Sequence, residues 1–78
     1  MTEMLQTLGK KLRSRREELG FSQEALADLC GFDRTYISLL ERGKRNVSLI
    51  NLARIAQGLR TSVAQLAEGI EYGSFPER

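Results

Sequence analysis

The stretch SQEALADLCGFDRTYISLL, residues 22–40, decides the fold. Two helices that cross steeply over a short turn bring their backbones close together at one point, and the small side chain of Ala27 permits that approach. Gly31 accepts the positive φ that a sharp turn requires. Ile37 and Leu40 then place two aliphatic side chains on one side of the following helix. The stretch therefore predicts a helix-turn-helix.

Helical spacing continues on both sides of this stretch and predicts an all-α chain. We expect five helices, at about residues 2–19, 22–30, 33–42, 48–59 and 61–69. The predicted N-caps are Ser22, Asp33, Ser48, and Thr61 or Ser62. Strand signals are poor, and the one proline, Pro76, lies too near the end to break a helix. We expect a single domain over residues 1–69 and a tail over residues 70–78 that is available for a dimer contact.

The composition argues against an enzyme. A chain of 78 residues allows one domain with a thin core and little room for a deep cleft. It has no histidine and one cysteine, which removes the usual zinc ligands and the usual activated nucleophiles. Glu17 and Glu18 are adjacent and point in different directions on a helix, so they make no catalytic pair. We expect no cofactor, no metal and no small-molecule ligand.

Targeting and membrane signals are also missing from the sequence. No apolar stretch approaches the ~18 residues of a membrane span. The first four residues carry no basic segment followed by an apolar run, so no signal peptide is visible. We expect a cytoplasmic protein of bacterial or phage origin that does not act at a membrane.

Positive charge is clustered in two places along the chain. The first cluster contains Lys10, Lys11, Arg13, Arg15 and Arg16, and the second contains Arg42, Lys44 and Arg45. Clustered positive charge on a small domain suggests a polyanionic partner. The alternative is that each cluster is only a solvated helix face.

Residues 22–59 resemble the Cro/phage-repressor (XRE) helix-turn-helix family, and the resemblance extends over about residues 5–69. The motif DRTYIS at 33–38, followed by Glu41 and Arg42, further resembles the controller proteins of restriction–modification systems. The resemblance implies a five-helix lambda-repressor-like bundle. It also implies a homodimer on a palindromic double-stranded DNA operator, with the recognition helix at about 33–42 in the major groove. Val47 stands where the family often has proline.

An alternative function uses the same fold as a protein-interaction module, in an antitoxin or a phage-type repressor. Antitoxins usually carry a longer segment that wraps the toxin, and nine residues follow Gly69 in this sequence. The sequence therefore favours a DNA-binding regulator over this alternative.

Arg34 is the first candidate for base recognition. Its planar guanidinium can bond guanine O6 and N7 together. Thr35 and Ser38 share its helix face and offer hydroxyl or methyl contacts. The resemblance also implies base contacts at positions 34 and 35.

Phosphate contacts are expected around the recognition helix. Gln23 begins the preceding helix, where backbone amides and the helix dipole favour a phosphate. The remaining candidates are Tyr36, Arg42, Lys44, Arg45 and Asn46. For Tyr36, packing is an equal alternative.

Three further features have alternative interpretations. Arg16 lies in an apolar stripe, and the resemblance implies an ion pair with Glu41; the alternative is a direct DNA contact. Glu24 and Asp28 match positions that touch RNA polymerase in activating relatives; the alternative is a solvated helix face. Cys30 is expected in the core, with redox sensing as the alternative.

A dimer is expected because one short chain touches one half-site only. The candidate interface residues are Leu59, Val63, Leu66, Ile70, Tyr72 and Phe75. The alternative is that these residues only complete the core of the monomer.

Overall fold

Five α-helices run through residues 2–72, the part of the chain that the computed structural model describes. They are α1 (Thr2–Glu18), α2 (Gln23–Cys30), α3 (Arg34–Glu41), α4 (Leu49–Gly58) and α5 (Val63–Ala67). No strand occurs among these residues. The predicted all-α fold is confirmed, with the helix ends displaced by one or two residues.

Serine caps explain where three of the helices begin. The Oγ atoms of Ser22, Ser48 and Ser62 accept hydrogen bonds from backbone amides three residues on, at 3.0, 3.1 and 3.0 Å. These bonds satisfy amides that a first helical turn leaves without partners. Ser62, rather than Thr61, is therefore the cap of α5.

Asp33 departs from the prediction. It occupies the N-cap position of α3 with an extended backbone, but its side chain makes no capping hydrogen bond. Its backbone carbonyl instead accepts from the amides of Tyr36 and Ile37 at 3.0 and 3.3 Å. The predicted N-cap position of Asp33 is correct, but the side-chain bond expected of a cap is absent, so the first turn of α3 lacks that stabilisation.

The turn between α2 and α3 depends on Gly31, which has φ +78°. A Cβ atom at this position would lie 2.8 Å from Nη2 of Arg54, which is closer than such contacts occur. The amide of Phe32 closes the turn by donating to the carbonyl of Ala27 at 2.8 Å. The left-handed conformation therefore favours glycine at residue 31, and a larger residue there would also displace the guanidinium of Arg54.

The core lies where the helices meet beneath α3. α3 packs against α1 and α2, while α4 packs against α2 and α5. Leu26, Ile37, Ile55 and Leu59 are the largest fully buried side chains. Ala27 is also buried, as the close approach of α2 and α3 requires. This packing leaves the opposite side of α3 facing outward.

Part of the predicted dimer surface belongs to this core. Leu59 and Leu66 are 0% and 4% exposed, so their side chains are unavailable to a second chain. The expectation that these two residues lie in a dimer interface is wrong, because they complete the monomer. Val63 and Ile70 are half-buried against the core, and Phe75 lies outside the described residues.

Candidate nucleic-acid interface

The outer face of α3 presents polar side chains. Arg34 and Thr35 are exposed in its first turn, and Ser38 is half-buried one turn later. Ile37 and Leu40 hold the opposite face against the core. The outer face of α3 therefore offers one guanidinium and two hydroxyl groups to a partner, with the buried side chains of Ile37 and Leu40 behind them.

Cations follow this helix in the loop before α4. Arg42, Lys44, Arg45 and Asn46 are all exposed there. Nε of Arg42 donates to the carbonyl of Ser38 at 3.4 Å. Oδ1 of Asn46 accepts from the amide of Val47 at 2.9 Å, which fixes the side chain and leaves its amide group for another acceptor. This loop places three positive charges next to the polar face of α3.

Tyr36 is held on three sides. Its ring lies 4.9 Å from the ring of Phe32, and the guanidinium of Arg45 lies 5.4 Å from its centroid. Its hydroxyl oxygen accepts from Nδ2 of Asn51 at 3.1 Å. Tyr36 therefore does pack, and because its hydroxyl oxygen accepts from Asn51, the hydroxyl can still donate a hydrogen bond to another group. Both roles considered for Tyr36 are compatible with this geometry.

A buried ion pair lies beneath the beginning of α2. Nε and Nη2 of Arg16 donate to the two carboxylate oxygens of Glu41 at 2.6 and 3.0 Å, and both residues are 8% exposed. The third donor group, Nη1, reaches the carbonyl of Phe21 at 2.7 Å. The hydrogen bond that Arg16 donates to Glu41 raises the pKa of Arg16. The predicted ion pair is present, and burial removes Arg16 from direct contact with DNA.

Gln23 is attached to this ion pair. Its Nε2 donates to Oε1 of Glu41 at 3.1 Å, and the side chain is half-buried at the start of α2. Its amide oxygen remains directed away from Glu41. The ion pair thus fixes the orientation of a residue that the sequence assigns to a phosphate.

The two basic clusters have different roles in the structure. Nζ of Lys11 donates to the carbonyl of Glu68, and Arg15 donates to the carbonyls of Leu59 and Arg60 at 2.9 and 3.1 Å. Arg13 pairs with Glu17 at 3.3 Å on an exposed face. Most of the first cluster is therefore engaged within the chain, and the second cluster carries the charge beside α3.

Comparison with known proteins decides the family. A family model described as helix-turn-helix matches residues 12–66. The chain belongs to this helix-turn-helix family. Its members are transcription regulators that bind DNA, so the predictions of a DNA-binding regulator and of a protein that is not an enzyme are confirmed.

The relatives of this chain include control proteins. The chain is 43% identical to the control protein C.MunI of a Mycoplasma species, over 91% of this chain and 97% of the relative. It is 39% identical to the control protein C.BamHI of Bacillus amyloliquefaciens, covering all of this chain and 99% of the relative. The crystal structure of the restriction-modification controller protein C.AhdI from Aeromonas hydrophila superposes with a TM-score of 0.79 at 41% identity, covering 85% and 98% of the two chains.

The sequence interpretation missed three residues beside this helix-turn-helix interface. They are Phe32, Asn51 and Arg54. Arg54 lies over the ring of Phe32, and both Phe32 and Asn51 contact Tyr36 in the first turn of α3. Arg54 had a detectable signal, since it is the one charged residue in the otherwise apolar and neutral sequence of α4. Asn51 had none, because its partner Tyr36 lies in another helix.

Glu24 and Asp28 are exposed one turn apart on α2, away from the residues that hold α2 to the core. Cys30 is buried, and its burial raises the pKa of the thiol. Among the described residues there is no group of side chains that could hold a metal ion. None of the helices within residues 2–72 is long and apolar enough to cross a membrane.

Proposed function

We propose that this regulator binds a palindromic operator as a homodimer and acts as the controller protein of a restriction–modification system. The observation that carries the proposal is the rigidly supported, exposed first turn of α3, with Arg34 and Thr35 beside a cationic loop. The names of the relatives C.MunI, C.BamHI and C.AhdI support the controller assignment.

In the proposed complex, α3 enters the major groove and Arg34 donates both arms of its guanidinium to one guanine. Such a bidentate contact contributes roughly 1–3 kcal/mol of discrimination between bases. Thr35 and Ser38 contact neighbouring bases from the same face. Gln23, Tyr36 and the loop cations Arg42, Lys44 and Arg45, with Asn46, hold phosphates and set the register.

Two alanine variants test these roles against each other. Arg34→Ala is expected to relax base preference at one operator position, because it removes a base contact. Lys44→Ala is expected to weaken binding to all sequences alike and to lower the salt slope by about one unit. Equilibrium binding to operator and unrelated duplexes at several salt concentrations measures both effects.

Lys11→Ala is the matched control. It also removes a positive charge, but Lys11 donates to the carbonyl of Glu68 within the chain. We expect its salt slope to equal that of the wild type. Loss of non-specific affinity in Arg34→Ala with intact base preference would contradict the assigned role of Arg34.

The proposed dimer uses an apolar surface that differs from the sequence prediction. Leu49 and Ile50, adjacent at the start of α4, are 71% and 74% exposed. Val47, two residues before Leu49, and Ile70 line a shallow apolar depression between the start of α1 and the end of α5. Two adjacent aliphatic side chains so exposed favour a buried contact. We therefore add Leu49 and Ile50 to Val63, Ile70 and Tyr72 as interface candidates.

Glu24 and Asp28 are proposed to contact RNA polymerase when the protein activates a promoter. Their exposure on one face of α2 supports the proposal. The double variant Glu24→Lys/Asp28→Lys is expected to bind operator and lose activation in a reconstituted transcription assay. Normal operator binding together with normal activation would contradict it.

The proposed function also implies the cellular compartment in which the protein acts. A regulator of chromosomal or phage genes acts in the bacterial cytoplasm, where its DNA lies. The mechanism requires no cofactor and no small-molecule ligand, because contacts between the side chains and DNA supply both affinity and specificity.

A further inference from the structure

Arg54 holds the turn between α2 and α3 from a third helix. Its Nη2 atom donates to the carbonyl of Cys30, the last residue of α2, at 2.7 Å. Its guanidinium carbon lies 4.3 Å from the ring centroid of Phe32, within the range of a cation–π contact. The thiol of Cys30 in turn donates to the carbonyl of Arg54 at 3.6 Å. Residues 30 and 54 are therefore linked in both directions.

These links matter because they support the first turn of α3 from α4, in addition to the packing of Ile37 and Leu40 behind it. The side chain of Asp33 does not cap it, and α3 packs mainly against α1 and α2. The connection from α4 to this turn is made by side chains. Arg54 contacts Phe32, Phe32 stacks on Tyr36 with their ring planes at 49°, and Asn51 donates to the Tyr36 hydroxyl.

Arg34 lies two residues after Phe32, whose ring Arg54 contacts. A bidentate contact to a base discriminates only when the guanidinium is held in its productive geometry. Functional side chains generally require positioning within about 0.5 Å by the residues around them. A small movement of residues 31–33 would displace Arg34 and Thr35 together, without changing the charge of the surface.

We propose that Arg54 is a positioning residue for base recognition, which fixes the helix-turn-helix turn through Cys30 and Phe32 and does not itself contact DNA. The inference rests on the proposed role of Arg34. It assigns to Arg54 an effect on specificity, whereas a cation that binds phosphate affects affinity for every sequence.

The test compares Arg54→Gln with Arg60→Gln. Both variants lose one arginine charge, and Arg60 lies exposed in the turn after α4. The probes are a duplex selected by the wild-type protein from random sequences and an unrelated duplex of equal length. For Arg54→Gln we expect the ratio of the two affinities to fall about tenfold, toward the lower end of what one bidentate base contact contributes. Affinity for the unrelated duplex and its salt slope are expected to stay at the wild-type level, as in Arg60→Gln.

Arg54→Lys separates geometry from charge. Lysine keeps the charge but has no planar group that can lie on the Phe32 ring while donating to the Cys30 carbonyl. We expect it to show the same loss of selectivity as Arg54→Gln. Full recovery by lysine would overturn the inference. A fall in affinity for both duplexes, with a salt slope reduced by about one unit, would also overturn it, since that result identifies a phosphate contact.

Phe32→Leu provides a second variant that keeps an apolar side chain in the turn. If both residues act through one contact, the double variant Arg54→Gln/Phe32→Leu loses no more selectivity than the worse single variant. A loss of selectivity in the double variant equal to the product of the two single losses would contradict the shared contact. Thermal unfolding of each variant verifies that it is folded.

The proposed roles of Arg34 and Arg54 can be disproved separately. If Arg34→Ala keeps its base preference, the proposed role of α3 is wrong. If Arg34→Ala loses it while Arg54→Gln keeps the wild-type ratio, only the inference about Arg54 is wrong.

Discussion

At the scale of single residues, the ion pair between Arg16 and Glu41 is the feature of the core that costs the most free energy of desolvation. Two charges removed from water stabilise a fold only when their donors and acceptors are all satisfied. Here Glu41 accepts from Arg16 and Gln23, and the remaining arm of Arg16 reaches the carbonyl of Phe21. The pair thus joins α1, α2 and α3 at one point beneath the proposed DNA-contacting surface.

Breaking this pair on one side is expected to be more damaging than replacing it. Arg16→Met leaves Glu41 buried without its partner, and we expect a loss of about 3–5 kcal/mol in the free energy of unfolding. The double variant Arg16→Met/Glu41→Leu is expected to recover much of this loss. Urea denaturation of the single and double variants measures the difference.

Arg13→Met serves as the control, because Arg13 and Glu17 form an exposed pair on the same helix. Such pairs contribute about 0–1 kcal/mol. An Arg16→Met variant no less stable than Arg13→Met would show that the buried pair does not hold the three helices together.

Cys30 makes stability depend on pH in the alkaline range. Burial raises the pKa of its thiol in the folded state, which the nearby Arg54 charge only partly offsets. The contribution of the Cys30 thiol to the free energy of unfolding is fully present below the pKa of the unfolded thiol, about 8.5. As the pH rises above that value the unfolded chain loses this proton first, so the free energy of unfolding falls.

We therefore expect the wild type to lose stability above about pH 8.5 more steeply than Cys30→Ala, measured by urea denaturation at a series of alkaline pH values. A buried neutral thiol is also expected to react slowly with a thiol reagent at pH 7. Equal slopes in the two proteins, or rapid modification of the folded protein, would contradict this description of Cys30 and favour a reactive thiol.

At the scale of helices, the sequence predicts where a helix begins better than it predicts which residues surround that helix. Ser22 and Ser48 cap their helices through local hydrogen bonds, which a short pattern can reveal. Asp33 matches the same pattern, but its carboxylate makes no such bond. Whether a candidate N-cap residue makes a capping hydrogen bond depends on the orientation of its side chain in the folded protein. Residue spacing does not determine that orientation.

Charge patterns are ambiguous for the same reason. Arg15 and Arg45 are both members of basic clusters, yet Arg15 donates to carbonyls at the end of α4 and Arg45 lies over Tyr36 beside α3. Leu59 and Leu66 likewise match an interface pattern and a core pattern equally well. Packing between helices that are distant in sequence separates these alternatives. The fold and the polar face of α3 follow from local spacing, whereas the division of labour among the cations does not.

A paired substitution tests this division between the two clusters. Arg15→Ala removes hydrogen bonds to the carbonyls of Leu59 and Arg60, so we expect a loss of about 1 kcal/mol in stability and unchanged DNA affinity. Lys44→Ala is expected to show the opposite pattern, with weaker DNA binding and unchanged stability. Thermal unfolding and DNA binding measured on both variants provide the comparison, and weakened DNA binding in Arg15→Ala would contradict it.

At the scale of the whole molecule, small size and function both favour two copies. An 8.8 kDa chain has a thin core, and one copy presents one recognition helix. A two-fold dimer places two such helices about one turn of DNA apart, which a palindromic operator matches.

The proposed dimer surface predicts the effect of a single charge. Ile50→Asp is expected to shift sedimentation at micromolar concentration from dimer to monomer, because it buries a carboxylate in an apolar contact. Leu29→Asp is the matched control, since Leu29 is 61% exposed on α2 and lies outside the proposed interface. A dimer that survives Ile50→Asp and Ile70→Asp would place the interface elsewhere.

The most direct test of the proposed operator recognition is the selection of DNA from a random-sequence library by the wild-type protein and by Arg34→Ala. We predict that the wild type enriches a palindrome with two half-sites about one helical turn apart, centre to centre. Arg34→Ala is predicted to lose preference at one symmetric position in each half-site. Enrichment of no sequence by the wild type, of a single half-site without symmetry, or of the same palindrome by both proteins would contradict it.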